Sequence, residues 1–316
     1  MHPFDELSGH LRPRPSPLER IRHPAAAAAK VELYCKRDDL YSLAPGTALQ
    51  GNKVRKLLPL LKKALTRRKP PLLVSFGGAY SNHLSALATA GRCYNLPVFI
   101  YVRGEEVDNP LLDQARADGA RLLPISRAEY RRKNDLDWLN EKRRILAKTY
   151  GYAPTDIWFI PEGGTYATGI TNVGELYREI VFELGTTPDY LCLSAGTGGT
   201  AAGVIQAAAP STKIEIFPAL KGNWMQDEIA RWLTPAATAN WQCISDYPFG
   251  GSGKFPGEWR VPKTGLAALA DLKQSGLPPL EPIYSAKLFF GVLERLQVGH
   301  YPLGSKVVVV HCGGIY

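Results

Sequence analysis

The sequence predicts an α/β protein built on open, largely parallel sheets covered by helices. Three observations predict it. Short apolar runs alternate with amphipathic stretches along most of the chain. Several of the runs end in glycine-rich junctions that open helices, at Gly77-Gly78, Gly163-Gly164 and residues 196–199. Open α/β sheets bind ligands at such junctions, at the carboxyl ends of their strands. The composition, 45% hydrophobic and 21% charged, is that of an ordinary globular protein, and 316 residues suffice for one large domain or two ordinary ones.

The elements follow in order. The alanine run at 25–29 reads as a short connector or a helix start. Val54, Leu57, Leu58, Leu61 and Leu65 fall on one face of a helix over 54–65, with Pro59 early enough to be tolerated or to kink it. Strand 72–76, helix 81–94, strand 98–102, helix 111–118 and strand 121–125 come next. Residues 135–150 form a long charged helix, with Leu136, Leu139, Ile145 and Leu146 on its packing side. Strand 157–160 leads through a glycine turn into a helix ending at Leu184. Strands 190–193 and 213–217 flank a Gly/Ala-rich helix, and helix 285–296 precedes a last strand, 307–311.

Net charge is +9. The basic residues are mixed with acids, as in Arg131-Arg132-Lys133-Asn134-Asp135 and Glu141-Lys142-Arg143-Arg144, which reads as solvated helical surface. No nucleic-acid-binding spacing accompanies them, so no nucleic-acid partner is expected. The five cysteines include no C-x-x-C pair, and Cys192 lies inside an apolar run, where a small buried thiol is the ordinary reading. The start of the chain, Met1-His2-Pro3-Phe4-Asp5-Glu6, is polar, and no apolar run approaches the ~20 residues that span a bilayer. A soluble, cytoplasmic protein with no membrane partner, no metal and no disulfide framework is expected.

Three motifs carry chemistry. Gly196-Thr197-Gly198-Gly199-Thr200 follows an apolar strand and enters a small-residue helix. Its free backbone N–H groups and the helix dipole suit a phosphate, although a tight structural turn explains the glycines too. The rival dinucleotide fingerprint expects an acid at the end of the next strand. That strand ends Phe217-Pro218-Ala219-Leu220-Lys221, and Glu215 comes too early. In Gln50-Gly51-Asn52-Lys53-Val54-Arg55-Lys56, Lys53 meets the unfavourable end of a helix dipole. A neutral amine there is what a Schiff base requires, and Lys56 lies one turn on, within reach of a phosphate. Taken alone, this segment reads better as a basic helical surface. In Gly77-Gly78-Ala79-Tyr80-Ser81-Asn82-His83, Ser81 and Asn82 open a helix and could simply cap it.

The ordered set Lys36-Arg37-Asp38-Asp39-Leu40, Gly51-Asn52-Lys53 with Arg55-Lys56, Gly78 to His83, Pro161-Glu162-Gly163-Gly164 and Gly196 to Thr200 resembles one family. It is similar to the 1-aminocyclopropane-1-carboxylate deaminase and D-cysteine desulfhydrase family of pyridoxal-phosphate-dependent enzymes, over nearly nine-tenths of the chain. The resemblance implies fold type II: two-domain open twisted sheets with helices on both faces. It suggests a small domain at 51–165 inserted into a large one of 1–50 and 166–316, the cofactor in the cleft, and a homodimer. It implies Lys53 as the covalent attachment point of pyridoxal 5'-phosphate, and Lys56, Gly196, Thr197, Gly198, Gly199 and Thr200 around the phosphate. Asn82 would meet the ring hydroxyl, Ser81 the carboxylate of a small amino-acid substrate, and Tyr284 the ring face.

Three departures from that pattern bear on the reaction. Ser285 stands where the cyclopropane deaminases carry glutamate near the pyridine nitrogen. Cys312 stands where they carry leucine and the desulfhydrases threonine. Ser252 stands where a second active-site tyrosine aligns, with Tyr247 nearby. A glutamate beside the ring nitrogen keeps it protonated and strengthens its electron withdrawal, whereas a hydroxyl or thiol offers a neutral partner. On this basis the sequence favours β-elimination from D-cysteine, giving pyruvate, ammonia and sulfide, with Lys53 as the base for the α-proton. Cyclopropane ring opening is the alternative. A cofactor- or amino-acid-binding protein without catalysis is the alternative of another class.

Overall fold

The computed structural model describes residues 11–104, 109–220, 222–245, 277–281 and 283–314. In chain order the elements begin with β1 (Leu18–Arg20), α1 (Pro24–Ala28) and β2 (Glu32–Lys36). Next come α2 (Asn52–Leu65), β3 (Leu72–Gly78), α3 (Asn82–Tyr94), β4 (Val98–Arg103), α4 (Pro110–Ala117) and β5 (Arg121–Ile125). Then follow α5 (Arg127–Arg131), α6 (Leu136–Tyr150), β6 (Ile157–Ile160), α7 (Ala167–Val173) and α8 (Glu175–Leu184). The remainder is β7 (Tyr190–Ala195), α9 (Gly199–Ala207), β8 (Lys213–Pro218), α10 (Trp224–Ala230), β9 (Asn240–Cys243), α11 (Ser285–Gln297) and β10 (Lys306–Val310).

The chain divides into two compact units, one built on Ser42–Gly169 and the other on Arg14–Tyr41 with Ile170–Ile315. The first holds a four-stranded sheet in the order β5-β4-β3-β6, every neighbouring pair parallel. Alternate residues of β3 point to opposite faces. Leu72, Val74 and Phe76 face a core shared with Phe99, Tyr101, Tyr130, Trp138 and Leu146. Phe76 stacks between Tyr101 and Phe159, with ring centroids 5.5 and 5.8 Å away. On the other face Ser75 is bonded to α3 through His83.

Here the structure corrects one expectation. Helix α6 packs through Trp138 and Leu146, while Leu136 is 75% exposed and Ile145 49% exposed. At 3.6 residues per turn these two lie on opposite flanks of the Trp138–Leu146 face, and the bulky indole decides which stripe turns inward.

The second unit holds a six-stranded sheet, β1-β2-β10-β7-β8-β9, parallel except for β1, which pairs antiparallel with β2 at one edge. Both faces are covered, and period-two alternation sorts the side chains between them. Val308, Val310, Leu191 and Leu193 pack with residues of α7, α8 and α9. Val307, Val309, Leu33, Cys35 and Cys192 pack with α11 and with Ala26 of α1. Cys192 is fully buried, as its apolar run suggests.

Two polar groups that are prominent in the sequence turn out to be committed inside this unit. Lys36, fully buried, pairs with Glu179 at 3.0 Å and Glu183 at 2.6 Å, and Arg37 with Asp39 and Glu19. Glu215, buried in β8, accepts hydrogen bonds from Arg295 at 2.8 Å and the Tyr301 hydroxyl at 2.9 Å, and lies 2.8 Å from His300 Nε2. A carboxylate used in this way does not hold a ribose. No helix among the described residues is long and apolar enough to cross a membrane.

Candidate active site

In the first unit, Gly51 occupies the cap of α2, so Lys53 is the second helical residue and Lys56 follows one turn later. Lys53 is half-buried and donates to Asn52 Oδ1 at 2.9 Å. Lys56 is 2% exposed; its ammonium donates to the Gly163 carbonyl at 3.0 Å and reaches Thr165 Oγ1 at 3.5 Å. Ser81 sits at the cap position of α3 but makes no capping hydrogen bond with its side chain. Capping therefore does not account for this serine. Asn82 and His83 open the helix, and the loop before it is held by Asn109, which donates to the Ala79 carbonyl at 3.0 Å.

The two motifs are electrostatically close. Burial, followed by the positive charges of Lys53 and Lys56, pushes the pKa of His83 down to about 3. The turn at Glu162–Gly164 completes the group by offering its carbonyl to Lys56. Thus Lys53, Lys56, Ser81-Asn82-His83 and Gly163-Gly164 belong to one neighbourhood of this unit.

In the second unit, β7 ends at the glycine loop that opens α9. Gly198 adopts φ +72, and a Cβ there would lie 2.9 Å from Ile229 Cγ1, so both conformation and space demand glycine. A Cβ on Gly196 would lie 3.0 Å from Tyr284 Cε1, which places the Tyr284 ring against the loop. These glycines therefore clear room that side chains would fill, beside N–H groups at a helix start. That is a fit for the phosphate of a cofactor. Gly198→Ala should cost about 1–3 kcal/mol of stability. Gly46→Ala is its control, at a similar φ (+75) but with nothing within 4 Å. Equal losses of thermal stability in the two variants would show that the close approach to Ile229 does not matter.

Tyr284 immediately precedes α11, and Ser285 is its first residue. The Ser285 hydroxyl donates to the Glu281 carbonyl at 2.9 Å and accepts the Glu281 N–H at 2.8 Å. Its one proton is spent inside its own helix cap. The Glu281 carboxylate accepts the N–H groups of Ile283 and Tyr284 at 2.8 and 2.7 Å, and that of Ser285. Burial pushes the Glu281 carboxyl above its ordinary range, against the pull of those three donors. Cys312 follows β10, half-buried against the core that includes Val308 and Val310. Before it, His311 Nε2 donates to the Pro279 carbonyl at 2.7 Å while Nδ1 accepts the Gly313 N–H at 3.2 Å. Tyr247 and Ser252 lie outside the described residues.

Glu281, His83 and His311 were not assigned roles on sequence grounds. An acid just before a helix is the one signal that could have found Glu281. His83 ends the motif that runs from Gly78 but carries no role there, and nothing local marks His311. Among the described residues no group of three His, Cys, Asp or Glu side chains could hold a metal ion.

A family model described as "Pyridoxal-phosphate dependent enzyme" matches residues 10–221. This chain belongs to the pyridoxal-phosphate-dependent enzymes. Its cofactor is pyridoxal phosphate, and its α/β architecture is that of fold type II. A 1-aminocyclopropane-1-carboxylate deaminase from Variovorax paradoxus is 27% identical, covering 100% of this chain and 91% of the relative. A protein from Pyrococcus abyssi, provisionally named for the same activity, is 29% identical over 90% of this chain and 85% of its own length. A crystal structure of an ACC deaminase homologue superposes with a TM-score of 0.76 at 24% identity, covering 100% of this enzyme and 96% of that chain. A hydrogen sulfide-producing enzyme from Fusobacterium nucleatum shares the fold at TM-score 0.65 and 16% identity, covering 95% of this enzyme and 96% of that chain.

Proposed function

We propose that this enzyme deaminates a small α-amino acid to a 2-oxo acid and ammonia, and that its substrate is 1-aminocyclopropane-1-carboxylate. The observation that carries the reaction class is Lys53 at the start of α2, inside the segment matched by the family. The relatives named above support the cyclic substrate. They do so more than they support D-cysteine, which the sequence places first.

The local geometry also weakens the argument for D-cysteine. Ser285 would have to serve as a neutral partner of the ring nitrogen, yet its hydroxyl proton is given to the Glu281 carbonyl. What still favours β-elimination as a second reading is the lack of a glutamate at position 285 and of a leucine at 312.

When bound, pyridoxal phosphate supplies the electron sink for a carbanion at the substrate α carbon. The chain supplies the rest. Lys53 would be the covalent anchor and the amine that moves protons at the ring carbons next to the α carbon, since the cyclic substrate carries no α hydrogen. Lys56 and the loop Gly196, Thr197, Gly198, Gly199 and Thr200 would be the groups that hold the phosphate. Asn82 would donate to the ring hydroxyl, Ser81 to the substrate carboxylate, and Tyr284 would cover the ring face. Ser285 and Cys312 would be the residues toward the ring nitrogen. A homodimer is part of the same reading and is checked by light scattering.

Lys56→Ala should weaken cofactor binding about ten- to a hundredfold, the worth of one charge-assisted contact of roughly 1.5–3 kcal/mol. Titration of the apoenzyme with pyridoxal phosphate measures it. Unchanged affinity would remove Lys56 from the phosphate.

A further inference from the structure

We infer that His83 is a positioning residue: its fixed, uncharged ring is the wall against which the Gly163–Gly164 turn is set, and that turn holds the Lys56 ammonium. The inference rests on the assignment of Lys56 to the cofactor phosphate.

The bonding decides the state of the ring. Ser75 has one hydroxyl proton, and it goes to the Ile160 carbonyl at 2.9 Å. The 2.9 Å contact between Ser75 Oγ and His83 Nε2 must then use a proton on the imidazole. His83 is therefore the Nε2–H tautomer, and Nδ1 keeps a bare lone pair. Among the described residues that buried lone pair has no hydrogen-bond partner, in a residue only 1% exposed. Such a group costs about 1–3 kcal/mol of folding free energy, which calls for a compensating role.

The role follows from what touches the ring. A Cβ on Gly164 would come within 3.2 Å of both His83 Cε1 and Nδ1, so the turn lies directly on the imidazole edge. Gly164 stands at φ +66, and its N–H is bonded to the Pro161 carbonyl at 3.0 Å. The adjoining Gly163 carbonyl receives Lys56. A chain of direct contacts thus runs from the Ile160 carbonyl through Ser75 and His83 to the turn and on to Lys56. A charged imidazole would place a third cation beside Lys53 and Lys56, and burial in this position prevents it.

A double-mutant cycle tests this with cofactor affinity as the readout, the apoenzyme being titrated with pyridoxal phosphate and followed by absorbance. His83→Ala should weaken binding about tenfold. His83→Phe, which keeps a ring against Gly164, should restore affinity to within about threefold of wild type. In a Lys56→Ala background, His83→Ala should have no further effect, because the wall acts only through that lysine. Equal losses in both backgrounds would overturn the inference while leaving the role of Lys56 intact. A silent Lys56→Ala would instead fail the phosphate assignment. If His83→Ala does not fold, Gly164→Ala displaces the turn from the same side and should show the same dependence on Lys56. Nitrogen-15 spectra of the wild type should show His83 as the Nε2–H tautomer, without titration between pH 5 and 8. A titrating ring in that range would also overturn it.

Discussion

Lys53→Ala should lower turnover by about three orders of magnitude or more and leave no borohydride-stable cofactor on the protein. Two functions are lost together, since one amine serves as covalent anchor and as the group that moves protons on the substrate. The wild-type protein should be yellow and should bleach on treatment with borohydride. Peptide mapping should then find the phosphopyridoxyl mass on the segment from Gly51 to Lys56. The physical basis is the position of Lys53 as the second residue of α2, where the positive end of the helix dipole works against the ammonium form. The positive charges of Lys53 and Lys56 both act on His83 from this region. Label on any other lysine would overturn the assignment of the anchor.

The second large effect concerns the substrate. Given 1-aminocyclopropane-1-carboxylate, the enzyme should release 2-oxobutyrate and ammonia in equal amounts. D-cysteine, which would yield pyruvate and sulfide, is the discriminating competitor. Ring opening breaks a carbon–carbon bond, and the carbon that leaves must be protonated, so it demands a stronger electron sink than expulsion of sulfide. Ser285→Ala gives the internal check. If the hydroxyl only closes the start of α11 on Glu281, its loss should cost about 0.5–2 kcal/mol of stability and leave kcat for the cyclic substrate within about threefold. Pyruvate from D-cysteine, with the cyclic compound turned over at less than about a hundredth of that rate, would transfer the assignment to β-elimination.

Much of the architecture was legible in the sequence because it rests on local periodicity. The alternation that sends Val308 and Val310 to one face and Val307 and Val309 to the other is written in consecutive apolar residues. Helix α2 shows equally plainly, with Val54, Leu57, Leu58 and Leu61 all buried on one stripe. The face of α6 did not, since Leu136, Trp138, Ile145 and Leu146 compete for the inward position and only the partner surface selects among them. Strand β1, with three residues of mixed polarity, has no pattern to read; it exists through its pairing with β2.

The sequence by itself determined the order of the motifs, the family they belong to and the lysine proposed as the cofactor's anchor. Each depends on residue types at fixed spacing along the chain. Tertiary structure alone decided what those residues bond to. The Lys56 ammonium is held by a carbonyl 107 positions away, and the His83 tautomer follows from Ser75 and, through it, from Ile160, 85 positions beyond that serine. The Ser285 hydroxyl is an instance at short range: four residues separate it from Glu281, but only a folded helix start shows that its proton is already given away. A hydrogen bond is defined by distance and direction in space, and local composition carries neither.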